Sequence, residues 1–157
     1  MSRWALAAAA AVSTIAVSVA CEKPPPLPPP RVAEPGFAAL RGYVGKYPRE
    51  SGLWTTQPLA DRLAALLGDR LPTLIANMEV EGPLTEDGGL LYVVGNREHR
   101  GGVDAAAVVI DPSADLLWVW LLVGGQPSEF GALAPGTSLP REVRLVLTVQ
   151  HPPDVRG

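Results

Sequence analysis

Hydrophobic and polar positions change rhythm several times along this chain, and each change marks a different kind of segment. Over residues 56–68, Leu59, Leu63, Leu66 and Leu67 recur at i, i+4, i+7 and i+8, the spacing of one apolar helix face. Thr56 is placed to cap that helix, Pro58 suits its first turn, Asp61 favours its N-terminal dipole and Gly68 ends it. Leu71, Leu74, Ile75 and Met78 repeat the pattern after Asp69, with Pro72 in the first turn, and predict a second short helix. Beyond Met78 the helical period gives way to short apolar runs between turn residues. Glu79 to Pro83 ends at a Gly-Pro break, and Leu90–Val94, Ala105–Ile110 and Leu116–Val123 follow. Connections this short suit antiparallel neighbours.

The run Leu116–Val123 carries Trp118 and Trp120 and is apolar on both faces. It is therefore either a central strand covered on each side within the chain or a strand with one face buried in a homodimer. The C-terminal stretch 138–150 reads two ways. Val143, Leu145, Leu147 and Val149 alternate as in a strand, whereas Pro140 before Arg141-Glu142 reads as the first turn of a helix. We lean to a helix at its start and assign nothing beyond Leu147. The predicted fold class is α+β, an antiparallel β-meander with helices packed on one face.

The N-terminus has a different character. Arg3 precedes 17 uncharged residues, Trp4 to Ala20, and Ser18-Val19-Ala20 lead into Cys21. This layout predicts an export signal over 1–20, and the eight alanines favour cleavage over a membrane-spanning anchor. Val19-Ala20-Cys21 resembles the lipobox of bacterial lipoproteins, with Ser18 where that family usually has Leu. The resemblance implies that Cys21 is acylated and becomes the new N-terminus, and more than one acyl chain anchors firmly. Glu22 after the Cys, in place of Asp, resembles the sorting pattern for the outer membrane, facing the periplasm. Six of the 17 prolines fall between Pro24 and Pro30. Residues 21–35 thus read as the acylated Cys and a stiff polyproline tether. The domain occupies 36–150, and 151–157 read as a disordered tail.

Composition narrows the function. One Cys excludes an intrachain disulfide and, with two His, argues against a zinc site. A net charge of −3 argues against a nucleic-acid partner. No nucleophile elbow, metalloprotease motif or phosphate loop is present, so no enzyme, cofactor or metal is expected. Glu98 and His99 are adjacent, and on a strand they would face opposite sides, so spacing alone gives no acid–base pair.

The segment that stands apart is GNREHRGG, residues 95–102, a polar loop bracketed by glycines between two apolar strands. With the DAAAVVIDP that follows, it resembles the region around the C-K-P-H-D-C loop of the Ivy family, periplasmic inhibitors of vertebrate lysozyme. The resemblance spans about Tyr43 to Leu147. In that family a disulfide-closed loop projects from an α+β domain, and its His enters the lysozyme cleft beside the catalytic carboxylates. His99 falls on that His, Arg97 on the Lys, and Gly95 and Gly102 on flanking glycines. Asn96 and Gly101 replace the two cysteines, Glu98 the Pro and Arg100 the Asp. The resemblance implies a protein partner, a lysozyme-like hydrolase, contacted by Arg97, Glu98, His99 and Arg100. Without the cross-link and the Pro, the loop is expected to be less preorganised, which costs affinity. The second reading is a structural or assembly lipoprotein that binds another envelope protein through the apolar sheet.

Overall fold

The computed structural model describes residues 36–150. Cys21, the signal, the tether up to residue 35 and the tail 151–157 lie outside the described residues. The described part begins with a 3-10 helix, Phe37–Tyr43, a single helical turn α1 (Pro48–Ser51) and a 3-10 turn, Leu53–Thr55. Helices α2 (Leu59–Leu67) and α3 (Leu71–Asn77) follow, joined by the 3-10 turn Gly68–Arg70. Next come strands β1 (Val80–Glu81), β2 (Thr85–Asp87), β3 (Leu90–Asn96), β4 (Ala105–Asp111), β5 (Leu116–Val123) and β6 (Gln126–Gly131). Helix α4 (Arg141–Gln150) closes the domain.

Both helices read from the leucine spacing form where they were expected. Leu59, Leu63 and Leu67 are the buried face of α2, and Pro72 sits in the first turn of α3. Thr56 does not cap α2 with its side chain. Its hydroxyl instead donates to the Gly52 carbonyl at 2.9 Å and meets the Tyr43 hydroxyl at 3.2 Å.

All strand pairings are antiparallel, in the order β1-β3-β4-β5-β6, and β2 pairs with β3 on the same edge as β1. Gly82-Pro83 divides that edge, because Pro lacks the donor a continuous ladder needs. Two strands escaped the sequence reading, β2 and β6, since both are polar and largely exposed. Their signal lay in the turns. Gly88-Gly89 and Gly124-Gly125 all take positive φ, as a tight two-residue hairpin requires, and each pair joins one of these strands to an apolar neighbour.

Alternate residues divide the sheet cleanly between two cores. Leu91, Val93, Ala106, Val108, Ile110, Leu117, Val119 and Leu121 pack under Phe37, Leu40, Leu53, α2 and α3. Tyr92, Ala105, Ala107, Val109, Trp118, Trp120 and Leu122 face the other way. The α+β class and the antiparallel meander are as expected, but helices cover both faces rather than one. On α4, Val143, Val146 and Leu147 join Leu133 and Leu139 over the second face. The i, i+3, i+4 spacing of those three residues overrides the strand-like alternation, and Leu145 is left half exposed. Glu142 ties the helix down by accepting a hydrogen bond from Tyr92 Oη at 2.9 Å. Burial, helped by that carboxylate, pushes the Tyr92 phenol up to about 12.

The two alternatives for β5 are thereby resolved. It is a strand covered on each side within the chain, with Trp118 and Trp120 buried and the Trp118 indole N–H donating to Glu129 at 3.2 Å. At the opposite sheet end from residues 97–104, the turn 111–115 is built on Asp111, whose Oδ1 accepts from the Ser113 hydroxyl and from the Ser113 and Ala114 amides. Those bonds, the hydroxyl foremost, hold its carboxyl below the usual aspartate range despite burial. Beside it, Asp115 accepts from Arg62 at 2.9 Å and from the Phe37 amide at 3.3 Å.

Candidate functional site

Strands β3 and β4 run side by side from Leu91↔Ile110 to Asn96↔Ala105, then diverge into the loop 97–104. The base of the loop is closed by the Arg97 amide donating to the Asp104 carbonyl at 3.0 Å. Inside it, the Arg100 amide donates to the Arg97 carbonyl at 3.0 Å, and the Val103 and Asp104 amides both donate to the Arg100 carbonyl at 3.0 and 2.9 Å. These two overlapping turns leave His99 at the apex, with φ of 57°. A left-handed backbone is uncommon for a non-glycine residue, and here it swings the imidazole out of the turn. The His99 side chain is 89% exposed.

Its chemical surroundings are polar and asymmetric. Glu98 Oε1 lies 3.4 Å from His99 Nε2, so the turn brings together two residues that a strand would have separated. The Glu98 amide donates to Glu79 Oε2 at 3.3 Å, which places a second carboxylate on the β1 side of the loop. On the α3 side lies a groove of about 480 Å³ lined by Thr73, Asn77, Arg97, Arg100, Asp104 and Val123, among others. Arg100 is committed, because its Nε pairs with Asp104 Oδ2. Arg97 makes no ion pair among the described residues and lines the groove beside it. Of the four loop residues picked from the sequence, His99, Glu98 and Arg97 therefore present their charged or polar ends outward, whereas Arg100 turns back onto the fold.

The residue that sequence reasoning missed is Asp104. It is buried, 5% exposed, and its carboxylate accepts the Gly124 amide at 2.7 Å while pairing with Arg100. The Gly124 N–H, with Arg100 and Arg97 adding to it, holds the carboxyl below the usual aspartate range although burial opposes this. A signal was available, since an acid placed directly before a strand as apolar as AAAVVI has to find partners. Asn77 was missed too. At 2% exposure, its amide donates to the carbonyls of Ala105 at 2.9 Å and Leu122 at 2.8 Å, clamping the β4–β5 end from which the loop springs.

The two positions laid on the family's cysteines face each other. A Cβ built on Gly101 lies 3.7 Å from Asn96 Nδ2 and 3.8 Å from its Cγ. Asn96 uses that amide to donate to the Arg97 carbonyl at 2.9 Å. Gly95, laid on a flanking glycine, has no room for a side chain, for its Cβ would sit 2.8 Å from Met78 Sδ and 2.9 Å from the Val80 carbonyl.

Elsewhere the surface offers less. A cavity of about 520 Å³ at the other sheet end is lined by Arg41, Asp87, Asp111, Ser138 and Arg141, among others, far along the sheet from His99. The Trp118/Trp120 face, on which an assembly role would rest, is closed by α4 and the segment before it. No group of three or more metal-ligating side chains occurs among the described residues. The Glu98–His99 pair is open to solvent, not in the water-excluded pocket that tunes catalytic acids and bases. What the loop can offer is a projecting hydrogen-bonding tip on a rigid two-sided sheet.

No curated protein and no solved structure matches the chain. A family profile does: the one described as "Inhibitor of vertebrate lysozyme (Ivy)" matches residues 58–153, from the start of α2 through the sheet and α4, and the chain belongs to that family.

Proposed function

We propose that this protein is an envelope lipoprotein, anchored through acylated Cys21 at the periplasmic face of the outer membrane, whose domain inhibits a lysozyme-like peptidoglycan hydrolase through the 95–102 loop. Lysozyme inhibition is the activity of its family. The observation that carries the finer reading is the presentation of His99, which stands 89% exposed on a left-handed apex above two hydrogen-bonded turns. Hydrolases of the lysozyme kind work with two carboxyl groups flanking the scissile bond in a concave cleft. A projecting imidazole fits that target, because its N–H can donate to a carboxylate that the substrate would otherwise engage. Arg97 stands next to it with no ion pair among the described residues and would meet acidic groups at the cleft wall. Glu98 would steady the imidazole from behind.

Titration of the protein against animal and bacterial lysozymes, read as cell-wall lysis, tests the reading. Stoichiometric loss of turnover is expected with at least one enzyme, and His99→Ala should weaken inhibition at least about tenfold, a modest loss for a residue central to an interface. Inhibition of none, or inhibition untouched by His99→Ala, removes this mechanism. The anchor is tested separately: Cys21→Ser should move the protein from the membrane fraction to the soluble one, and retention there would refute acylation at that residue.

A further inference from the structure

The loop lacks a covalent closure, yet its hydrogen bonds converge on one residue. Asp104 supplies four of them. Its amide donates to the Arg100 carbonyl, its carbonyl accepts the Arg97 amide, its Oδ2 pairs with Arg100 and its Oδ1 accepts the Gly124 amide. The first three close the loop on itself at both ends of the Arg97–Arg100 turn. The fourth fastens it to the β5–β6 hairpin, where the Gly125 amide also donates to the Val103 carbonyl at 2.8 Å. A buried carboxylate with charged and backbone partners makes stronger, more directional bonds than a solvated one.

We infer that Asp104 is the positioning residue of the inhibitory loop, doing through its carboxylate and backbone what a cross-link between positions 96 and 101 would do. The inference rests on the reading that this loop is the contact element. Asp104 does not touch the partner. It acts by keeping the Arg97–Arg100 turn formed, so that His99 is already at the apex when the target arrives and little ordering remains to oppose binding. A loop that is formed only part of the time binds with an affinity reduced by that fraction.

The test uses the full-length protein in detergent and two readouts. Amide exchange of Arg97, Arg100, Val103 and Gly124 reports loop closure without reference to any partner. Asp104→Asn keeps the size of the side chain but removes its charge and turns an amide toward Arg100. We expect those amides to exchange at least about tenfold faster, the size of one lost bond to a charged group, while the amides of Val108 and Val119 in the core keep their wild-type rates. Inhibition should weaken in parallel, mainly through slower association. Asn96→Cys/Gly101→Cys added to Asp104→Asn should restore both readouts when oxidised and neither when reduced, since the Asn96 side chain already reaches within 3.7 Å of a Cβ built on Gly101. Unchanged loop exchange in Asp104→Asn overturns the inference, and so does an oxidised variant that restores neither readout. If loop exchange responds as stated but the wild-type protein inhibits no hydrolase, the assignment of the loop as inhibitory fails while Asp104 keeps its place as the loop's closure.

Discussion

Asn77 gives the sharpest test of how the loop-bearing end of the sheet is held. Replacing it by Ala removes two donated hydrogen bonds, to the carbonyls of Ala105 and Leu122, at a site 2% exposed. Each bond is worth about 1 kcal/mol net, and leaving buried carbonyls with an unmet acceptor position adds roughly 1 kcal/mol more, so the loss should be about 3 kcal/mol. For a domain of this size about 4 °C accompanies each kcal/mol, which puts the thermal midpoint roughly 12 °C lower. Urea unfolding followed by tryptophan fluorescence measures the free energy and a thermal scan the midpoint, since Trp118 and Trp120 lie in the second core. Asn77→Leu separates hydrogen bonding from packing. It fills the volume with apolar atoms yet offers no donor, so it should be at least as unstable as Asn77→Ala. A stability within about 0.5 kcal/mol of wild type for Ala, or a recovery by Leu, would refute the claim that this amide works by satisfying two strand carbonyls.

Two further expectations concern the fold. Gly131→Ala should cost about 2 to 4 kcal/mol, because φ there is +74° and the new Cβ would sit 2.2 Å from the Leu117 carbonyl, a backbone atom that cannot yield without parting β5 from β6. A loss below about 1 kcal/mol in urea would show that β6 shifts freely. On the acid side, the folded-state carboxyls of Asp104 and Asp111 both lie below their ordinary 3.8. Their contribution is therefore complete above that value and is lost as pH falls through the lower folded values. Stability should drop from about pH 4 downward, and Asp111→Asn should make that drop shallower; an acid slope unchanged in the variant would exclude Asp111 as its source.

The parts of this fold that are legible in the sequence are those where hydrophobic period and burial coincide. Leu59, Leu63 and Leu67 face inward because a helix brings them together, and β3, β4 and β5 are apolar because they lie under cover on both sides. The helix over the second face was harder to read, since Val143, Val146 and Leu147 share a ten-residue stretch with Leu145 and Val149, which imitate a strand. Strands β2 and β6 hold their places through backbone pairing at the sheet edges, and edge strands need no apolar pattern. At the site, chemistry was visible and connectivity was not. The polar loop and its His could be picked out by composition, but the destination of Arg100 depends on Asp104 four residues on and on the Gly124 turn twenty residues beyond that. The loop's closure was not legible, because hydrogen bonds to a buried acid are invisible until the strands are laid side by side.

The Phe37 amide bound to Asp115 fixes where the chain enters the domain: beside the β4–β5 turn, a full strand length away from His99. Phe37 thus lies at one pole of the sheet, and the imidazole stands at the other. Seven residues of β4 separate the poles, roughly 24 Å at about 3.4 Å per residue. Changes made at the Phe37 end of the described domain are therefore separated from the His99 tip by the length of the sheet.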